Sequence, residues 1–563
     1  MAVAFVRQLG YESGVQLNPL RDNSEIPSSD NSDQVFGIIM RSTRGRIDRP
    51  FKVDRGNVFK KLGTGEQMRV NSLNEAWVHV VEALNNGAYE CVVQRMSGKD
   101  AKIKYAVLST EDILDPNFVA DPGQPDVTAD VIGHKIKFEV LDKVPETPFI
   151  VAIKHLDCFN DGIKLAIRAE EAGTGGVLEP NSVISLQLLT NEDEVLYEFT
   201  GSLVPGTKDD YGNSYYLPDV VSKLTDSVEL IGGATQQIDP DSDAYGYDEN
   251  GVAKWAMSNV LICFEEGGTA YTTQQLMAWR TKLQYTEYNY AYISSGGTQN
   301  VALLAQLAQL AFDTNRQLKF DIPGNLSVEA AIAFVEQLNM GANKCAHLMH
   351  SFWSPLKSDD PTGINPKGYF GVATLNIALC CGRNAETNAY GFAPKNFPIA
   401  GRDHPIARTN ITQTATPSNQ ELSALARAKI NPCIYEVYTG GGRYVFRDSL
   451  TCALVDNSMK KLISVADMST SIDDMVTRYG KDILQQPMDS AVKKMKAFLE
   501  KYFTQAEASG WLVPSADVFM EGKSFKFDVR PNEARPFDRM DVNYWLRYDG
   551  CVRQIFVTQT LSK

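Results

Sequence analysis

The chain has 563 residues, of which 43% are hydrophobic and 22% charged, with a formal net charge of −14 at pH 7. This length exceeds what one hydrophobic core supports, and the composition is close to the globular average, so we expect several folded domains and neither disorder nor a fibrous repeat. The acidic balance argues against a general nucleic-acid binder, which needs a basic face to displace counterions from phosphate.

Targeting signals and cysteines give a consistent picture. No stretch reaches the roughly 20 apolar residues that a membrane span needs. The first 11 residues carry Arg7 after a very short apolar patch, which does not fit a secretory signal. We therefore expect synthesis and residence in the cytoplasm. The nine cysteines are an odd number and mostly scattered, which favours reduced thiols over a disulfide framework.

The N-terminal part of the chain begins with an unusual segment. In residues 1–33 a short apolar patch, Val3 to Val6, is followed by a polar, proline-punctuated stretch without helical period, which predicts a detached arm. Residues 34–110 predict an α/β segment with strands at 35–40 and 89–94 and a helix at 73–84. That helix has one apolar stripe, formed by Trp77, Val80, Val81 and Leu84.

The remaining chain divides by its periodicity. Residues 111–253 alternate between apolar and polar, as at 135–140 and 182–188, which indicates a β-rich insertion domain. In residues 254–430, strands alternate with helices, which predicts parallel crossovers in a doubly wound α/β sheet. The predicted strands of that region are 290–293, 318–322 and 346–350, and its helices are 299–313 and 327–338.

Residues 431–563 predict an α+β C-terminal domain with a long amphipathic helix at 488–508 and a final strand at 552–558. The fold class is thus multidomain, mixed α/β and α+β, with extended terminal arms.

Two clusters resemble metal sites. Cys345, His347 and His350 have ligand types that zinc accepts. They fall on a predicted strand, however, where the first two side chains point to one face and His350 to the other, so buried structural residues are favoured.

The second cluster, Asp239, Asp241 and Asp243, resembles the start of a calcium loop. Ala244 replaces the turn glycine and Asn250 the bidentate glutamate, so a solvated acidic loop is favoured.

Signatures of catalysis are not recognisable. Gly296-Gly297 lies between a strand and a helix, where a phosphate could bind, but it lacks the spacing of a nucleotide-binding loop, and a tight turn is favoured. No G-x-S-x-G motif occurs, and no histidine is paired recognisably with a serine and an acid. We expect no cofactor and no enzyme activity.

Residues 41–61 form a basic segment in this acidic chain, with eight Lys and Arg against Asp48 and Asp54. Three partners remain open: acidic surfaces of neighbouring copies, solvent, or nucleic acid, which the scarcity of aromatic residues disfavours. The residues expected at an inter-subunit contact are Arg44, Arg46 and Arg49.

The order of several motifs resembles the tail sheath proteins of contractile phages, pyocins and related injection systems. The motifs at the opening strand and loop are residues 35–39, 42–50 and 59–63. Those in the middle and C-terminal parts are residues 320–323, 366–373, 390–396, 430–432 and 446–451. Lys395 and Lys429 depart from this pattern, since the family has a small residue or proline and a glycine at those positions.

The resemblance implies a subtilisin-like α/β domain without subtilisin's catalysis, in a structural subunit that forms stacked six-membered rings around an inner tail tube. Subunits of this family lend terminal strands to neighbouring C-terminal domains. The matching segments here are Val3, Phe5 and Val6 at one end and Ile555, Phe556 and Val557 at the other.

The partners implied are further copies of the chain, the inner tail tube protein, and baseplate and tail terminator proteins, without direct nucleic-acid contact. The implied location is a virion tail assembled in the host cytoplasm, where contraction drives genome ejection. A phage-derived contractile injection system or bacteriocin is the alternative. From other classes, an unrecognised α/β hydrolase and a surface adhesin built on the β-rich region remain.

The helix at 488–508 is the predicted tube contact. Its apolar stripe is Val492, Met495, Phe498, Leu499, Tyr502 and Phe503. Lys493, Lys494 and Lys501 lie on the opposite side, where they could meet acidic groups of the tube or form an ordinary solvated face.

Overall fold

The structure, a computed structural model, describes residues 32–65, 76–115, 131–169, 183–233 and 254–561. Its strands are β1 (Val35–Met40), β2 (Phe51–Asp54), β3 (Glu90–Arg95), β4 (Lys102–Ile103), β5 (Tyr105–Leu114), β6 (Val131–Leu141), β7 (Val151–His155), β8 (Ile163–Ala169), β9 (Val183–Thr190), β10 (Val195–Ser202), β11 (Val228–Gly232), β12 (Ala256–Met257), β13 (Phe264–Glu265), β14 (Tyr292–Ser294), β15 (Gln317–Ile322), β16 (Met349–Trp353), β17 (Leu356–Ser358), β18 (Gly368–Tyr369), β19 (Thr412–Gln413), β20 (Ile430–Tyr438), β21 (Gly441–Phe446), β22 (Phe525–Pro531) and β23 (Met540–Leu546). Its α-helices are α1 (Val58–Leu62), α2 (Ala76–Asn85), α3 (Leu217–Leu224), α4 (Thr273–Gln284), α5 (Val301–Thr314), α6 (Val328–Leu338), α7 (Ala373–Ala385), α8 (Asn419–Arg427), α9 (Ile463–Asp482) and α10 (Met488–Ala508).

The largest sheet has eight strands in the order β2-β3-β1-β14-β15-β16-β20-β21. Its six inner strands are parallel, and β2 and β21 lie antiparallel at the two edges. Parallel neighbours need crossover connections, and helices supply most of them here, so the predicted doubly wound sheet is confirmed.

Helices cover both faces of this sheet. Because side chains alternate along a strand, Phe36 and Ile38 of β1 join the core under α2 and α7, whereas Val35 and Ile39 join the core under α4 and α5. The four residues of the predicted α2 stripe, Trp77, Val80, Val81 and Leu84, are all buried, but so is every other residue of the helix from Ala76 to Ala83, so α2 is enclosed on all sides and not on one face only.

The large sheet joins segments that the sequence divided. Gly37 of β1 lies opposite Ile293 of β14, so residues 34–110 and 254–430 contribute to one sheet. The predicted boundary at 430 is displaced as well, because β20 and β21 extend the same sheet as far as Phe446. Pairing between distant segments has no local signal in the sequence.

A separate module, residues 102–265, is called here the β module. It contains two four-stranded sheets, β10-β9-β8-β12 and β11-β7-β5-β6, which share a core that includes Leu108, Ile153 and Leu186. At its base Phe264 of β13 pairs with Ile103 of β4. The module is therefore wider than the predicted 111–253, since residue 111 lies inside β5.

The C-terminal unit consists of α9, α10 and the β22–β23 hairpin. The predicted helix at 488–508 is confirmed, as α10 has these bounds. Within the described residues, no helix is both long and apolar enough to span a bilayer.

Candidate inter-subunit interface

Helix α10 packs its apolar stripe against one face of the β22–β23 hairpin. Met495, Leu499 and Phe503 are buried, and the Phe503 ring lies 5.5 Å from that of Phe525 and 5.6 Å from that of Tyr544. The stripe predicted from helical spacing is thus confirmed. This stripe packs against and covers one face of a small sheet.

That sheet has only two strands. β22 and β23 pair with each other from Phe525 opposite Leu546 to Pro531 opposite Met540. Among the residues that the structure describes, each strand has one edge without a strand partner. Two-stranded ribbons are only marginally stable alone, and open edges are the places where further strands add. The hairpin therefore offers two edges for strands from outside the chain.

The tail that follows the hairpin is apolar and exposed. Ile555, Phe556 and Val557 are 79%, 90% and 88% exposed. The predicted strand at 552–558 is wrong for the single chain, because residues 551–561 form neither helix nor strand. A strand needs a partner edge to satisfy its backbone groups, and among the described residues this segment has none. Contiguous exposed apolar side chains mark a contact surface.

An ion pair fixes the start of this tail. The Arg553 guanidinium binds the Asp448 carboxylate with Nε–Oδ1 and Nη2–Oδ2 distances of 2.8 and 2.5 Å. Asp448 lies just beyond the end of β21. Ile555, Phe556 and Val557 therefore follow directly after a fixed point, whereas Val552, which is 80% exposed, precedes it. The N-terminal candidates Val3, Phe5 and Val6 lie outside the described residues.

The lysines of α10 lie opposite its buried stripe. Lys493, Lys494 and Lys501 are exposed, and the Lys494 ammonium donates to Gln486 Oε1 at 2.8 Å. The predicted separation of an apolar and a cationic face is confirmed. A contact with a tube remains a prediction.

The basic loop has partners within its own chain. Arg44 binds Asp161 through Nε, at 3.1 and 3.0 Å, and through Nη2, at 2.5 Å. Arg46 pairs with Asp48 at 2.8 Å and with Asp226 at 3.2 Å. The hydrogen bond to Asp48 raises the pKa of Arg46 despite its partial burial.

This finding corrects the expected role of the loop. Arg44 and Arg46 are each only 8% exposed, so their guanidinium groups attach the β module to the large sheet and are not presented to neighbouring copies. Arg49 also binds Asp226, but its side chain is 46% exposed, and its contact with another copy remains a prediction.

The acidity of the β module is a feature that the sequence reasoning missed. Residues 102–265 carry 29 Asp and Glu against 11 Lys and Arg, a net charge of −18 (11 − 29). This net charge is more negative than the −14 of the whole chain. A count of charges by region would have found it. This acidity explains why a basic loop in the neighbouring segment is held by carboxylates of the module.

Asp321 lies at the carboxyl end of the parallel strands of the large sheet, where α/β proteins usually bind ligands. Such ligands lie beyond the carboxyl ends of parallel strands. Here Asp321 Oδ1 accepts hydrogen bonds from the backbone N–H of Val372 (2.6 Å) and Ala373 (2.8 Å), at the start of α7. A Cβ at Gly371 would lie 2.4 Å from this carboxyl group. The helix N-terminus is thus occupied by the chain's own carboxylate.

The zinc candidates are arranged differently from the prediction. Residues 346–348 form a 3-10 turn and β16 begins at Met349, so Cys345 and His347 are not on the strand. His350 lies within hydrogen-bonding distance, 3.2 Å, of the His347 carbonyl oxygen, and burial lowers the pKa of His350 to about 3. Among the described residues no group of three or more His, Cys, Asp or Glu is arranged to hold a metal ion.

Of the two other ligand candidates, the glycine pair is the one that can be placed. Gly296 and Gly297 form the predicted turn, with φ values of 60° and 76°. The calcium-like cluster at Asp239, Asp241 and Asp243 lies outside the described residues.

Comparisons with known proteins give structural neighbours only. No family model matches the chain. No curated protein matches it either. Among solved structures, the sheath tail protein of Desulfitobacterium hafniense is similar with a TM-score of 0.45 and 13% identity, over 88% of this chain and 90% of that one. The PVC sheath complex of an extracellular contractile injection system in its contracted state gives 0.37 and 13%, over 50% and 74%. The anti-feeding prophage baseplate gives 0.38 and 11%, over 54% and 78%.

Proposed function

We propose that the chain is a structural subunit of a contractile tail sheath. It polymerises as stacked hexameric rings around an inner tail tube and contracts to drive that tube through the host envelope. The observation that carries the proposal is the combination, in one chain, of an open two-stranded hairpin with an exposed apolar tail. The ordered sequence motifs support the same assignment.

In this proposal the termini link the copies. The tail residues Ile555, Phe556 and Val557 join the hairpin of a neighbouring copy, and the N-terminal segment with Val3, Phe5 and Val6 joins another. Main-chain hydrogen bonds supply most of the affinity of an added strand, while its side chains supply specificity. Flexible connections let rings rotate during contraction without separating.

The other parts have supporting roles. The large sheet is the subtilisin-like body of the subunit, used without catalysis, and the acidic β module faces outward, where like charge favours solubility. The lysine face of α10 meets the tail tube, and the ends of the sheath meet baseplate and terminator proteins. The parent assembly is a phage tail, formed in the host cytoplasm and used for genome ejection, or a phage-derived injection system.

Negative-stain microscopy of the purified chain tests the proposal. We expect tubes or polysheaths. A chain truncated after Gly550 is expected to remain folded but to give only discrete particles, because Arg553 and the apolar tail are removed while the hairpin is kept. Deleting residues 1–20 is expected to have the same effect on assembly.

The matched control is deletion of 562–563 alone, which leaves the apolar tail in place and should assemble normally. Discrete particles from the full-length chain under all assembly conditions would reject the sheath proposal in favour of a hydrolase or an adhesin.

A further inference from the structure

A lysine and a cysteine meet between the large sheet and α7. Lys319 of β15 is 0% exposed, and its ammonium nitrogen lies 2.9 Å from the Cys380 sulfur and 2.8 Å from Asn376 Oδ1. Asn376 and Cys380 are four residues apart on α7, so both side chains project from one face of the helix toward the strand. The same nitrogen lies 4.9 Å from the centre of the Tyr292 ring. The lysine is thus held against a single sulfur atom.

The distance between this nitrogen and this sulfur is short for a hydrogen bond to sulfur. A separation of 2.9 Å is typical of N–H···O bonds, whereas the larger sulfur atom takes longer contacts. The buried Asp467 carboxylate is bound by Arg383 at 2.8 Å and lies farther from Lys319. The hydrogen-bond acceptors of the Lys319 ammonium are therefore the sulfur and one amide oxygen, and its nitrogen is placed to react with the sulfur.

We propose that Lys319 and Cys380 form a modification site, at which dioxygen links the two side chains through one oxygen atom as a covalent N–O–S bridge. The two atoms lie too far apart for a direct S–N bond and close to the span of one bridging oxygen atom. This inference is independent of the proposed function, because it concerns the interior of a single chain.

The reaction balances with these two side chains and dioxygen alone. The ammonium first gives up one proton, so that the neutral amine reacts. The S–H bond, one N–H bond and the bond of dioxygen break, while one S–O bond, one O–N bond and two O–H bonds form. One oxygen atom stays in the bridge and the other leaves as water. Sulfur and nitrogen together lose four electrons, and dioxygen gains them.

The surroundings of the sulfur favour this product over other oxidised forms of a thiol. Cys380 is 1% exposed, which excludes glutathione and the thiols of other chains but admits dioxygen, a small apolar molecule. Cys381 follows directly on α7, but successive side chains of a helix point about 100° apart, and both thiols are free. Oxidised sulfur condenses with a neighbouring thiol or nitrogen, and here the neighbour is the Lys319 amine.

The bridge adds a second link between two elements that already contact each other. Asp321 of β15 accepts hydrogen bonds from the backbone at the start of α7, and the bridge joins the same strand to the later part of that helix. A covalent link between distant positions in the chain restricts the unfolded state and so stabilises the folded one. Because reducing compartments keep thiols reduced, we expect the bridge only in chains that have been exposed to air.

Mass spectrometry of the full-length chain tests the site. Chain held in air-saturated buffer is compared with chain kept under argon with dithiothreitol. We expect the aerobic chain to gain one oxygen atom and lose two hydrogen atoms, and to regain the mass of the reduced chain once dithiothreitol cleaves the bridge. Because trypsin does not cut after a modified lysine, the digest should contain peptide 317–344 joined to peptide 368–383.

Two variants locate the bridge. Cys381→Ser keeps both reacting groups and should show the same change in mass, whereas Cys380→Ser should abolish it. The measurement on the natural chain needs no variant, so it decides the question even where a variant does not fold. An unchanged mass after prolonged exposure to air overturns the inference. So does a gain of two oxygen atoms on Cys380, which marks a sulfinic acid, or a loss of two hydrogen atoms alone, which marks a disulfide or a direct S–N bond.

Discussion

Lys395 and Asp33 form an ion pair of 2.8 Å where the predicted N-terminal arm meets the folded chain. The lysine side chain is 2% exposed and the carboxylate 35%. The same ammonium also binds Ser471 of α9 and lies 5.9 Å from the ring centre of Trp511. The arm therefore starts from a fixed point between the large sheet and the C-terminal unit. Lys395, which departs from the family pattern, supplies that point.

Removing the carboxylate from this pair should destabilise the chain. Asp33→Ala removes the carboxylate that pairs with the buried Lys395 ammonium and leaves it with Ser471, the Trp511 ring and the more distant Asp467 carboxylate. We expect a loss of about 1–3 kcal/mol in the free energy of unfolding, measured in urea. The double variant with Lys395→Met should recover most of this loss, because it removes the uncompensated charge. A double variant as unstable as Asp33→Ala would contradict this explanation.

The Arg553–Asp448 pair should limit how far the tail reaches and should contribute little to the free energy of unfolding. With Arg553→Gln we expect the free energy of unfolding to change by less than about 1 kcal/mol, since the ion pair is partly exposed. Hydrogen exchange of residues 550–553 should become faster, and the freed segment adds about 13 Å of reach. Arg535→Gln, which breaks an exposed pair with Asp538 in the hairpin turn, is the control and should leave exchange in the tail unchanged.

Asp321 should make stability depend on pH. Burial raises its pKa from 3.8 to about 6, although two backbone N–H donors and Arg408, which is itself paired with the nearby Glu82, favour ionisation. Because the folded-state pKa is raised, its contribution to stability is complete below about pH 4 and is lost as pH rises through 6.

Asp321→Asn keeps a carbonyl acceptor for Val372 and Ala373 but cannot ionise. Relative to this variant, the natural chain should lose about 1–3 kcal/mol between pH 4.5 and 7 in urea unfolding. Parallel pH profiles for the two chains would show that Asp321 is not the titrating group.

Lys429 occupies a backbone conformation that favours glycine. Its φ is 61°, in the left-handed region, at the position where the resembling family has glycine. Its ammonium donates to the Val455 carbonyl oxygen at 3.0 Å. Both Lys429→Gly and Lys429→Ala lose this bond, but only glycine relieves the backbone strain. The glycine variant should therefore be more stable than the alanine variant by about 1 kcal/mol, by thermal or urea unfolding.

The lysine face of α10 should matter only when a tube is present. Changing Lys493, Lys494 and Lys501 to Glu is expected to leave polysheath formation intact and to abolish extended sheath on tubes. Each exposed ion pair contributes only about 0–1 kcal/mol, but the contact repeats in every copy. The control changes three exposed lysines of the β module, Lys143, Lys208 and Lys223, to Glu. Equal assembly of both variants on tubes would assign these lysines to solvent.

The sequence determined most of the local structure, because helix and strand periods and helix caps act within a few residues. The apolar stripe of α10 predicts the helix and the face that it buries. Ser327 and Asn300 accept hydrogen bonds from the backbone at the starts of α6 and α5, which are local interactions of short polar side chains that favour a helix start. The resemblance of ordered motifs implies that the C-terminal tail links subunits, and this role stays a prediction.

Only the tertiary structure decided which distant segments meet. In the tertiary structure, β1 lies beside β14, and Arg553 forms an ion pair with Asp448. Arg44 and Arg46 form ion pairs with carboxylates of the β module. The tertiary structure also left residues 552–558 without the strand that their β-prone sequence predicts. The physical reason is the same in each case: strand pairs and ion pairs depend on a partner that no local pattern specifies, and a tail strand forms only where another edge accepts its backbone hydrogen bonds.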